Sequence, residues 1–99
     1  MTETEFLQQV KLLFDAICEH IESHNPDLDV LAHGALVEIE NDDGAKVIVN
    51  QQASMNEVWL ASREGGYHFK FNGSNWVNTR DSVDFWDYLS RAIALIDNA

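Results

Sequence analysis

The stretch VNQQASMNEVWLASREGGYHF, residues 49–69, decides how the chain folds. Successive side chains of a strand point to opposite faces, so Val58 and Leu60 share one face while Glu57, Trp59 and Ala61 share the other. The same alternation separates Val47 and Val49 from Asn50 and Gln52, and it sets Tyr67, Phe69 and Phe71 apart from His68 and Lys70. Three strands thus agree on an apolar face and on a second face that carries Asn50, Gln52, Trp59 and His68. Trp59 stands on the wrong side for a core residue.

Outward from this stretch the pattern continues as hairpins. Leu28 and Val30 alternate with Asp27 and Asp29 in a short strand that His33-Gly34 ends, and His33 carries no signal beyond that turn. Val37 and Ile39 then oppose Glu38 and Glu40, Asn41 to Gly44 reads as a turn, and 46–52 returns as the partner strand. Ala53 to Asn56 is a loop, Glu64-Gly65-Gly66 and Asn72-Gly73 are turns, and a last short strand surrounds Trp76 and Val77. Helices flank the strands on both sides. Phe6, Val10, Leu13, Phe14, Ile17 and Ile21 recur at three and four, with Thr2 or Thr4 as cap and Asn25-Pro26 as stop. Phe85, Trp86, Leu89, Ile93 and Ile96 mark a second helix, with Asp81 or Ser82 as its expected cap and Asp81, Asp84 and Asp87 as helix-start charges. The predicted fold class is α+β, a two-layer sandwich in which two helices cover one face of a mostly antiparallel sheet of five to six strands. At 99 residues and 45% apolar composition, residues 1–99 are expected to form a single domain.

The formal charge of -11 is concentrated at one end. Up to Asp43 there are eleven carboxylates against Lys11 alone; beyond it, six carboxylates face five cations. Such a field repels nucleic acid and anionic membranes and attracts cations or a basic protein surface. No apolar run approaches the roughly 20 residues of a membrane span, and the lone Cys18 excludes an intrachain disulfide or CxxC site. The expectation is a soluble cytoplasmic protein. At 100° per residue, Asp15, Glu19 and Glu22 fall within an arc of about 60° opposite the apolar stripe. This row is either a solvated helix face or a binding surface; like charges at i,i+4 oppose helix formation slightly, which favours a use for them.

The pair Asn50-x-Gln52, the run Trp59-Leu60-Ala61-Ser62 and the run Gly65-Gly66-Tyr67-His68-Phe69, between an acidic first helix and a helix opening with Phe85-Trp86-Asp87, resemble the frataxin family in its bacterial form. The resemblance covers nearly the whole chain and implies the same helix–sheet–helix arrangement. It further implies that Asp15, Glu19, Glu22, Asp27 and Asp29 form an acidic ridge that binds iron, Fe2+ or Fe3+, weakly and reversibly. The same ridge would meet the basic surface of a cysteine desulfurase. Asn50, Gln52 and Trp59 would face the iron-sulfur scaffold protein and the desulfurase, with His68 on the same face. Cys18 departs from a place where relatives often carry an acid. Carboxylate oxygens suit hard cations, and a site without His or Cys ligands holds metal loosely.

The leading expectation is therefore an iron-binding protein, monomeric without metal, that docks on the cluster-assembly machinery as iron donor, regulator, or both. The alternative is an acidic protein-interaction module with no physiological metal role. Trp59 has a bland reading as well, partial cover by a loop, but Asn50, Gln52 and His68 around it have the makeup of a docking patch. An enzyme is not expected, since the chain has no Glu-x-x-His pair of the di-iron kind and no nucleophile with a plausible base. His20 and His24, at i,i+4, are read as boundary residues of the helix rather than as metal ligands, and Gly65-Gly66 as a turn rather than a nucleotide loop.

Overall fold

The computed structural model describes residues 1–97. Helix α1 (Glu3–His24) starts on a capping box: the Glu5 amide donates to the Thr2 hydroxyl at 3.1 Å, and the Thr2 amide donates to the Glu5 carboxylate at 2.9 Å. Two amides at the helix start are satisfied by this exchange. Its apolar positions Phe6, Val10, Leu13, Phe14, Ile17 and Ile21 are all buried. Asn25 closes the helix with its amide on the Ile21 carbonyl.

Six strands follow: β1 (Asp29–His33), β2 (Leu36–Glu40), β3 (Lys46–Gln52), β4 (Glu57–Ser62), β5 (Gly65–Phe71) and β6 (Trp76–Asn78). They lie side by side in chain order, each antiparallel to the next. Helix α2 (Phe85–Ile96) completes the chain. Val37, Ile39, Val47, Val49, Val58, Leu60 and Phe69 are the inward side chains of β2 to β5, each almost wholly buried with Phe85, Leu89 and Ile96 of α2 and the stripe of α1. Burying one such side chain contributes about 1.5–3 kcal/mol, so this apolar layer binds the helices to the sheet. No helix among the described residues is long and apolar enough to cross a membrane.

Local chemistry departs from expectation at the second helix. Its N-cap is Asp84, whose carboxylate accepts the Trp86 amide at 2.9 Å. Ser82 has a φ of 62° and Asp81 is occupied otherwise, accepting the Val83 amide at 2.9 Å and the Tyr88 hydroxyl. Ala92 lies in the buried stripe, and Trp86 is only half-buried. The 53–56 loop contains a short 3-10 turn, Ala53–Met55, ended by Asn56 in the left-handed region at φ 52°.

Asn41 does more than turn a hairpin. It is buried, its side-chain amide donates to the Ile96 carbonyl at 3.0 Å, and its side-chain oxygen accepts the Asp43 and Ala45 amides, both at 2.9 Å. One residue thus ties the β2–β3 turn to the end of α2. Asn41→Ala removes all three bonds and leaves buried groups unpaired, and should cost about 1–3 kcal/mol in urea unfolding.

The Tyr88 hydrogen bond holds the Asp81 carboxyl below its ordinary value, helped by the Val83 amide, and pushes the Tyr88 phenol above its own. A carboxyl held low stabilises the fold above its unfolded range and loses that contribution as pH falls through its folded value. A phenol held high contributes below its unfolded range and loses that contribution as pH rises through its folded value. The melting temperature of Tyr88→Phe should therefore fall furthest below wild type near neutral pH, the gap closing towards both extremes.

Candidate functional site

Asp15, Glu19 and Glu22 are all exposed on α1, away from its buried stripe. Lys11 Nζ lies 2.8 Å from Asp15, an exposed i,i+4 pair. Among the described residues no cation pairs with Glu19 or Glu22. Asp27 is exposed in the turn after the helix, and Asp29 is exposed at the first position of the edge strand β1, across from Glu40. Because Val30 turns inward, Asp29 projects on the sheet face away from the helices. Helix, turn and edge strand thus each carry part of the predicted ridge, and only Asp15, Glu19 and Glu22 share one element's face. No three His, Cys, Asp or Glu side chains among the described residues form a ready metal-binding group.

Cys18 sits within this acidic stretch of α1. Partial burial pushes its thiol up, and the charges of Glu22 and Asp15 push it further. A thiol so placed is protonated at neutral pH. The side chains of the row Asp15, Glu19 and Glu22 offer carboxylate oxygens, donors that suit a hard cation held loosely.

The opposite side of the molecule is the open sheet face. Asn50, Trp59 and His68 lie directly across from one another on β3, β4 and β5. The Trp59 and His68 rings stack with centroids 4.3 Å apart and planes 7° from parallel. Asn50, Gln52 and Trp59 are half-buried and His68 is exposed, so all four predicted residues share one surface.

Glu57 is the residue that sequence reasoning left without a role. It lies on this same face, yet is only 5% exposed. Its Oε1 accepts the Trp59 indole N–H at 2.8 Å and lies 3.4 Å from His68 Nδ1, while Oε2 lies 4.0 Å from Lys70 Nζ. The signal was present in the pairing: once Trp59 faces His68, Glu57 must face Lys70, an opposite charge directly across the ladder.

The remaining candidates take structural places. His20 and His24 stack on each other at 4.5 Å, and His20 packs against Trp86 at 5.5 Å, at the seam between α1 and α2. His33 lies 3.6 Å from Glu38 across the β1–β2 pair. Gly65 opens β5, with a φ of 136°, and no helix follows it.

Comparison with known proteins agrees with this architecture. A family model for the frataxin-like domain matches residues 1–97. The chain is 43% identical to the iron-sulfur cluster assembly protein CyaY of Janthinobacterium sp. (strain Marseille), covering 95% of this chain and 88% of that protein. It is 46% identical to the protein of the same name from Chromobacterium violaceum, covering 94% and 89%. Among solved structures, frataxin from Psychromonas ingrahamii superposes with a TM-score of 0.87 at 35% identity, over 94% of this chain and 89% of that one. Trimeric frataxin from Saccharomyces cerevisiae, crystallised in a ferrous complex, shares the fold at a TM-score of 0.71 and 22% identity, over 100% of this chain and 88% of that one.

Since Glu19 is exposed and faces like charges at i−4 and i+3, Glu19→Gln should leave the fold intact and raise stability by a few tenths of a kcal/mol in low salt. The gain should vanish in 1 M salt, where screening removes the repulsion; paired thermal melts check both.

Proposed function

The chain belongs to the frataxin-like family, and from that premise we propose that it is a non-catalytic, cytoplasmic iron-binding protein serving iron-sulfur cluster assembly. It docks on the cysteine desulfurase and the scaffold protein as iron donor, regulator, or both. The observation that carries the reading is the exposed row Asp15, Glu19 and Glu22, against which Lys11 supplies the one paired cation among the described residues.

In this reading iron is cargo. Asp15, Glu19, Glu22, Asp27 and Asp29 offer single oxygen donors spread over a helix, a turn and a strand. An ion there keeps much of its water and leaves readily. The same charges attract a basic partner over a distance of about 8–10 Å at moderate salt, and a bound cation lowers that attraction. Iron loading and partner docking are thereby coupled through one set of charges. Asn50, Gln52, Trp59 and His68 supply the second contact: an aromatic pair flanked by amides, suited to short-range docking. Without metal the protein is a monomer.

The absence of a ready three-ligand group among the described residues favours a second reading, an acidic interaction module with no metal role. An anaerobic two-dimensional amide NMR titration with Fe2+, with Ca2+ as comparison, separates the two. Shifts or broadening confined to Asp15 through Asp29, weakened in Glu19→Gln, are the expected result. Unchanged spectra, with desulfurase binding still lost on ridge neutralisation, would leave the second reading standing.

A further inference from the structure

Carboxylates are rarely buried unless partners meet them, because losing water disfavours the charge. The Glu57 side chain is 7% exposed although it stands on the face that no helix covers. Its contacts explain this. The indole N–H of Trp59 and Nδ1 of His68 both address the same oxygen, Oε1, at 2.8 and 3.4 Å, and Lys70 addresses the other at 4.0 Å. Two ring nitrogens turned to one acceptor align the polar edges of the rings and leave their faces against each other, which is the arrangement seen in the stack at 4.3 Å and 7°.

We propose that Glu57 is the positioning residue of the docking face: it holds the Trp59 indole, and with it the His68 ring, in one orientation before any partner arrives. The inference rests on reading Asn50, Gln52, Trp59 and His68 as that face. A tryptophan free at the surface samples several rotamers, and a partner must freeze it on binding, which weakens affinity by roughly two- to tenfold per side chain. Glu57 removes this cost for two rings at once. It also restricts what a partner can use. The indole N–H is already donated inward, so Trp59 meets a partner through its ring surface and edge rather than through a hydrogen bond. With His68 Nδ1 turned to Glu57, the atom left for the partner is Nε2.

The test compares wild type with Glu57→Gln, Glu57→Asp, Glu57→Leu and Trp59→Ala. Two properties are read: solvent exchange of the indole N–H groups by 15N NMR, and binding kinetics on immobilised complex of cysteine desulfurase and scaffold protein. The Trp59 resonance is identified by its loss in Trp59→Ala. In wild type its exchange should be slowed at least about tenfold relative to a free indole, as for a hydrogen-bonded N–H. Glu57→Gln keeps an acceptor at the same reach and should preserve protection and affinity to within about threefold. Glu57→Leu should lose protection while Trp76 and Trp86 are unmoved, and should dissociate about tenfold faster with little change in association rate. A merely structural role would not move the indole exchange alone, nor be rescued by glutamine. If Glu57→Leu does not fold, Glu57→Asp decides, because it keeps the charge and shortens the reach: protection and slow dissociation should both be lost.

If Trp59→Ala weakens binding while Glu57→Leu, or Glu57→Asp in its place, binds with a protected indole as wild type does, the positioning role is overturned and the docking face survives. If Trp59→Ala binds as wild type does, the docking face is wrong and the positioning role falls with it.

Discussion

Two helices on the same side can cover only one face of a six-stranded sheet. The pleat sends every second residue of every strand to the uncovered face, so the chain must display roughly half of its strand residues on a rigid plane. Leu36, Ile48, Asn50, Gln52 and Trp59 are half-buried there, and Leu31 is 58% exposed. Open faces of antiparallel sheets are ordinarily polar. An aromatic stack with aliphatic neighbours on such a face is what distinguishes this surface from mere solvation.

The charges lie on other elements. Asp15, Glu19 and Glu22 belong to the outer side of α1, so the most crowded carboxylates and the ring stack point away from opposite sides of the sandwich. Long-range attraction and short-range fit are then built from different residues. On the proposed reading, changes along α1 act mainly on association and its salt dependence, and changes on the sheet act mainly on dissociation. On the same reading, the spread of Asp27 and Asp29 onto a turn and an edge strand suits loose handling of a hard cation rather than a fixed cage.

Much of this was legible because two periods dominate the chain. The three-and-four spacing of α1 and the alternation of residues 47–49, 58–60 and 67–71 gave the layers, the sheet faces and the common surface of Asn50, Trp59 and His68. What was not legible depended on contacts distant in sequence. Asn41 looks like any turn asparagine until its side chain reaches the Ile96 carbonyl, 55 residues away. The cap of α2 falls at Asp84, directly before the helix, while Asp81 accepts the Val83 amide and the Tyr88 hydroxyl in the preceding turn, a placement that composition does not reveal. Helical spacing grouped Asp15, Glu19 and Glu22, the family resemblance joined Asp27 and Asp29 to them as one ridge, and the fold distributes the five over three elements.

Asn41, Glu57 and Asn78 are the buried polar side chains among the described residues, and no buried side-chain N or O there lacks a partner. The apolar alternation and the buried carboxylate both reject a one-residue slip. Sliding β4 by a single residue would turn Glu57 into the layer formed by Val47, Val49 and Phe69 and push Val58 and Leu60 outward. The ionised group would lose Trp59, His68 and Lys70 together, with nothing in the core to replace them. The residue proposed to orient the ring stack therefore also reinforces the pairing that the apolar alternation sets, so the surface and the sheet register are tied through the same carboxylate.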